Sequence, residues 1–91
     1  MHSIIQTDDD RCFLCRSAYG TDWHHIFGGP NRKLSEEDGL KIRVCRYCHE
    51  QIHEGKNSKA LMTALHKLGQ TKYEATHSRE EFMERYGRNW L

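Results

Sequence analysis

The chain has 91 residues, a formal net charge of +1, and 36% apolar against 30% charged residues. A chain this short forms one domain, and it buries only about 60–65% of its unfolded surface, so its thin core needs a further staple. No run approaches the ~18 apolar residues of a membrane helix, and 10% aromatic residues with a single proline exclude general disorder. In chain order, residues 1–11 read as a flexible acidic lead-in ending in Asp8-Asp9-Asp10. Cys12-Phe13-Leu14-Cys15 is a tight turn with two thiols. Asp22–Phe27 has the bulky character of a short strand. Gly28-Gly29-Pro30-Asn31 is a turn, and the polar run Arg32–Gly39 continues it as a loop. Leu40-Lys41-Ile42-Arg43-Val44 alternates apolar and basic, the pattern of a half-buried strand. After Cys45-Arg46-Tyr47-Cys48, residues His49–Glu54 read as a helix with Ile52 inward and Gly55 as its stop.

The rest is helical. Asn57 or Ser58 caps a helix bearing Leu61, Met62, Leu65 and Leu68 on one face, with Gly69 as its end. Thr71–Glu74 and Ser78–Glu81 both have capping-box spacing. The second opens a helix with Phe82, Met83 and Tyr86 inward and Gly87 as its stop. Trp90 and Leu91 are expected to tuck against these helices. The expected class is α+β: one domain over 1–91, with a core at 12–54 and a helical extension at 57–91 of two or three short helices.

The four cysteines form two pairs, Cys12-x2-Cys15 and Cys45-x2-Cys48. Two such pairs bring four thiolates to a tetrahedral Zn²⁺. A closed Cys₄ site leaves no open coordination position, so this zinc is read as structural. The alternatives are two redox pairs or two disulfides. The amino terminus, Met1-His2-Ser3-Ile4-Ile5, lacks a basic-then-apolar secretion signal, so a cytoplasmic location is expected, where thiols bind metal in preference to oxidising.

Of the seven histidines, His2, His66 and His77 read as surface or packing residues. His24 and His25 are neighbours on a strand, so they face opposite ways. His49 and His53 lie four apart on a helix, on one face about 5–6 Å apart at Cβ. One arrangement satisfies all four. His24, His49 and His53 hold a second ion through imidazole nitrogens, and His25, turned the other way, serves as a base.

These residues resemble the HNH, or ββα-metal, nuclease family. The resemblance lies in His24-His25, the hairpin, and a helix opening Cys45-x2-Cys48-His49-x3-His53, and it covers residues 12–54. The Cys₄ frame is similar to that of small phage and bacterial HNH proteins, and the Gly28-Gly29-Pro30-Asn31-Arg32-Lys33 loop and the tail resemble small phage-encoded HNH proteins, some of them relatives of recombination-enhancing, RecA-dependent nucleases. The His49-x3-His53 spacing is similar to the three-histidine site of the colicin nucleases. The resemblance implies a zinc-stapled, treble-clef-like ββα-metal core and a metal-dependent endonuclease that hydrolyses DNA phosphodiesters by nicking or double-strand cleavage. It leaves a 5′-phosphate and a 3′-hydroxyl. His24, His49 and His53 become ligands of a catalytic divalent ion (Mg²⁺, Mn²⁺, Ni²⁺ or Zn²⁺), and His25 the general base. Two departures stand out. The family asparagine that fixes the base-orienting loop is replaced by Leu40, with Gly39 beside it and Asn31 as a substitute. The proline that follows the base is delayed to Pro30.

The charge is graded. Residues 1–10 carry three acids and no base, residues 11–59 nine Lys/Arg against six Asp/Glu, and residues 60–91 five against four. This balance supports weak, largely sequence-independent DNA binding, with Arg43, Arg46, Arg32 and Lys33 as contacts. A monomer or dimer with no membrane partner is expected. The alternative function is a non-catalytic, zinc-stapled nucleic-acid or protein-binding module, such as a phage accessory factor.

Overall fold

A computed structural model describes residues 2–7, 10–18 and 20–91; Met1, Asp8, Asp9 and Tyr19 lie outside the described residues, and with them two acids of the lead-in. The architecture is α+β with a radius of gyration of 12.8 Å, close to the ~12 Å expected for this length. Strand β1 (Thr21–His25) pairs antiparallel with β2 (Lys41–Cys45), and between them lie a 3₁₀ turn (Gly29–Asn31) and helix α1 (Arg32–Glu37). Helix α2 (Arg46–Glu54) follows β2 directly, and α3 (Ser58–Glu74) and α4 (Arg79–Tyr86) complete the chain.

The register places Trp23 opposite Arg43, His24 opposite Ile42, and His25 opposite Lys41. Alternation then gives one face to Trp23, His25, Lys41 and Arg43, and the other to His24, Ile42 and Val44. Ile42 and Val44 are buried with Ile52 of α2. Each such side chain contributes roughly 1.5–3 kcal/mol on burial.

Phe27 joins this sheet to the carboxyl-terminal helices. Its ring lies 4.6 Å from Tyr86, 4.9 Å from Trp90 and 5.5 Å from Phe82, and stacks on His66 at 5.2 Å. His66 is thus a packing residue, as is His77, which stacks on Tyr73 at 4.1 Å. Trp90 tucks in as expected, whereas Leu91 stays exposed.

Five expectations are corrected. The run after Pro30 is not all loop, because Arg32–Glu37 forms α1. Ser35, fully buried, clasps that helix: its hydroxyl donates to Leu40 O at 2.5 Å and accepts from Phe27 N at 3.2 Å. Gly69 does not end a helix. A Cβ there would sit 2.7 Å from Ile26 Cγ2 and 3.0 Å from the Phe27 ring, so glycine allows α3 to cross the end of β1. Consequently Thr71 opens no new helix; its hydroxyl donates to Lys67 O within α3. The extension holds two helices, one of them 17 residues long. The lead-in is docked at Ser3–Gln6: Ser3 Oγ donates to Lys41 O, Ile4 N to Gly39 O, and Gln6 Oε1 accepts from Arg43 N. That segment is hydrogen-bonded along the backbone edge of β2. Lys41 is buried, so the strand is not half-exposed.

The Ser78 capping box forms, with Glu81 N donating to Ser78 Oγ and Ser78 N to Glu81 Oε1. Gly87 ends α4 in the left-handed conformation (φ 78°) that a Cβ disfavours. Helix α4 is tied back to the α1 end by Tyr86 Oη donating to Asp38 Oδ2 at 2.6 Å and by Arg85 pairing with Asp38 and Glu37.

Candidate metal centre and its cleft

The two cysteine pairs form matching turns. Cys15 N donates to Cys12 Sγ and Cys48 N to Cys45 Sγ, both at 3.5 Å. Cys45 is also the N-cap of α2, and Phe13 N donates to Arg43 O at 2.7 Å, which pins the first turn to β2. The four Sγ atoms lie within 4.8 Å of one another, and Cys15 Sγ is 3.6 Å from Cys45 Sγ. Bonds of ~2.3 Å in a zinc tetrahedron put sulfurs about 3.8 Å apart. Disulfides are absent among the described residues, and four converging thiols at this spacing fit a structural metal ion. Burial acts to raise the Cys12 thiol, but hydrogen bonds from the Cys15, Cys45 and Leu14 backbone outweigh it and hold the thiol at about 6. Cys48 is pushed far up by burial and by the neighbouring sulfurs. Four thiolates in this space therefore need a cation to offset their mutual repulsion.

The second cluster is His24, His49 and His53, whose ligating nitrogens also lie within 4.8 Å of one another. His49 Nε2 and His53 Nε2 are 3.2 Å apart. Tetrahedral Zn–N bonds of 2.0–2.1 Å would space them about 3.3 Å apart. Strand β1 supplies His24, which is buried, and α2 supplies the other two, which are exposed. Burial first, then the nearby imidazoles of His49 and His53, hold His24 down to about 4. It is therefore neutral at pH 7, the form that binds metal. The donor set fits a divalent ion with positions left open, since three protein ligands do not close a coordination shell.

His25 is directed away from this trio. Its Nε2 lies 2.7 Å from Glu36 Oε1, and Lys41 Nζ is 2.9 Å and 3.1 Å from the two oxygens of the same carboxylate. Hydrogen bonds from His25 and then Lys41 hold the Glu36 carboxyl down to about 2. An open cleft of about 310 Å³ is lined by all four histidines together with Trp23, Ile26, Gly28, Arg32 and Met62.

Sequence reasoning missed Glu36, which lay in a run read as loop; the acid-rich Ser35-Glu36-Glu37-Asp38 stretch carries no motif that singles it out. Asn31 is turned to α4 and not to His25. Its Nδ2 donates to Tyr86 O at 3.3 Å and so ties the turn to α4. Leu40, at the family asparagine position, is fully buried core.

Of the four basic residues expected at DNA, Arg32 lines the cleft. Lys33 and Arg46 are exposed on α1 and at the start of α2. Arg43 is half-buried, with its guanidinium 4.3 Å from the Trp23 ring centroid. A second groove, about 710 Å³, meets the cleft at Met62; Lys56, Lys59, His66, Arg88 and Trp90 line it, and no acidic residue does. No helix among the described residues is long and apolar enough to cross a membrane. No protein-family profile, curated protein or solved structure matches the chain.

Proposed function

We propose that the protein is a metal-dependent DNA endonuclease of the HNH, or ββα-metal, type, with a zinc-stapled core over residues 12–54. The observation that carries this reading is the division of labour between two adjacent histidines. His24 joins His49 and His53 in one cluster, while His25 lines the same cleft but is bound to Glu36 outside that cluster. A structural zinc finger has no need of such a pair, whereas a one-metal phosphodiesterase uses both a ligand set and a base.

His24, His49 and His53 would hold a divalent ion, which would supply Lewis-acid stabilisation of the phosphodiester under attack. Imidazole donors suit Zn²⁺ or Ni²⁺ better than Mg²⁺. His25 removes a proton from the water that attacks phosphorus. Arg32, on the cleft wall, meets the charge of the phosphate. The basic, acid-free groove that adjoins the cleft at Met62 receives the flanking backbone. Such contacts give weak, salt-dependent and largely sequence-independent binding.

The test is relaxation of supercoiled plasmid with and without chelator, using purified parent, His25→Ala and His24→Ala. The parent should nick only with a divalent ion. His25→Ala should keep its fold and its metal yet nick about 10²–10⁴-fold more slowly, the usual worth of a positioned base. Two results would sink the reading: His25→Ala nicking as fast as the parent at saturating metal, or His25→Ala, and not His24→Ala, emptying the histidine cluster.

A further inference from the structure

We infer that Glu36 is the positioning residue for His25, doing the orienting work for which the sequence has no asparagine, and that Lys41 holds Glu36 in place. The kinetic part rests on the nuclease reading; the structural part does not.

Hydrogen bonds from two partners keep Glu36 ionised, so its oxygens only accept. His25 Nε2 at 2.7 Å must then carry a proton and donate it. That fixes the neutral tautomer and leaves Nδ1 with the lone pair that can take a proton from water. A ring with both nitrogens solvated would divide between two tautomers and turn about its χ angles. This one cannot turn freely, because the His25 side chain is only 9% exposed.

The carboxylate is itself fixed by two neighbours. Ser35, the preceding residue, is locked by bonds to Phe27 N and Leu40 O. Lys41, directly opposite His25 in the sheet register, binds both Glu36 oxygens with a side chain only 4% exposed. A buried ammonium of this kind needs a partner, and Glu36 supplies the negative charge; the Trp23 ring, 4.6 Å away, adds a second favourable face. A Lys–Glu pair at the surface would serve solubility. A buried lysine, a half-exposed carboxylate and a buried histidine nitrogen in one chain serve orientation.

The experiment compares the parent, Glu36→Gln, and the double variant Glu36→Ala/Lys41→Met, which removes the carboxylate without stranding an ammonium. Long-range ¹H–¹⁵N correlation on the zinc-loaded protein, at a pH where the imidazole is neutral, reads the His25 tautomer. The parent should show the Nε2–H form and the double variant a mixture, a difference that a merely structural role would not produce. Plasmid nicking at saturating metal should fall about 10–100-fold in kcat for the double variant, the usual effect of losing an orienting partner, with KM unchanged. Glu36→Gln retains an acceptor and should fall between parent and double variant. A double variant that keeps the parental tautomer or the parental kcat overturns the inference. Should the double variant fail to fold, Glu36→Gln decides: an unmoved Nε2–H resonance with parental kcat overturns it, and a shifted resonance with reduced kcat supports it. If the parent shows no chelator-sensitive nicking while the tautomer still responds as expected, the nuclease reading fails and the positioning of His25 by Glu36 stands.

Discussion

Replacing Cys45 by serine should unfold the protein. Cys45 ends β2, caps α2, and places its sulfur 3.6 Å from Cys15. Its cluster joins chain segments some 30 residues apart, and it is the cross-link the thin core lacks. Structural zinc contributes on the order of 10–16 kcal/mol of apparent free energy in small zinc-binding peptides. A domain of this size has a net stability of only about 5–15 kcal/mol. Losing even half of the zinc term, about 5–8 kcal/mol, would therefore remove at least about a third of the margin and, toward its lower end, all of it. Far-UV circular dichroism and thermal melts, recorded with zinc present and after chelation, would show it: Cys45→Ser should lose its cooperative melt, and the chelated parent should resemble it. Cys15→Ser should be milder, because that thiol is exposed and its loss opens no cavity in the core. A reduced, zinc-free parent with an unchanged spectrum and an unchanged melt would refute the reasoning.

Four further outcomes are expected. Gly69→Ala should lower stability by about 1 kcal/mol, because ~1 kcal/mol of helix propensity is outweighed by overpacking of about 1–3 kcal/mol against Ile26 and Phe27; a denaturant midpoint at or above the parent's would contradict this. His49→Ala should lose the histidine-bound ion and keep the cysteine-bound zinc, so metal analysis should fall from two ions per chain to one. Lys56→Ala with Lys59→Ala should weaken duplex binding and flatten its log–log salt dependence by about two, whereas an unchanged slope would remove that groove from the DNA path. Burial and the Asp38 bond raise the Tyr86 phenol well above its ordinary value near 10. In alkali the unfolded state therefore releases a proton that the folded state keeps, and stability is lost as pH rises above 10. Tyr86→Phe lacks this loss, so its deficit against the parent should shrink from pH 8 to pH 11, and a constant deficit would show that Tyr86 ionises alike in both states.

The parts legible in the sequence are those with a fixed local spacing. Strand alternation separates His24 from His25, helical spacing joins His49 to His53, and two Cys-x2-Cys pairs announce a four-thiol cluster; all three rest on backbone periodicity and survive any tertiary context. The Ser78 capping box and Gly87 are legible for the same reason. What escaped depends on contacts remote in sequence. Gly69 resembles a helix stop until Ile26 and Phe27 are seen against it. Ser3 and Gln6 resemble a loose tail, yet they bond to Lys41 and Arg43. Arg43 resembles a free DNA contact, though Trp23 carries its guanidinium. Glu36 stands in an acid-rich run that any solvated loop could contain, and only the register of β1 with β2 gives it a meaning.

The two clusters are unequal partners because α2 serves both. Cys45 caps the helix and Cys48 lies in its first turn, so ligation there sets where the helix begins and how it is rotated. His49 follows Cys48 directly, and His53 lies a turn further on, past the buried Ile52. The aim of both imidazoles is therefore set by the thiol cluster and by one core contact. His24 comes from β1, whose register is held by β2, and β2 ends in Cys45. Loss of the cysteine-bound ion must misdirect all three imidazoles. Loss of the histidine-bound ion leaves the thiols, the hairpin and Ile52 untouched. The expected dependence thus runs one way: the fold should need an ion at the thiols, whereas an ion at the imidazoles should be removable without unfolding it.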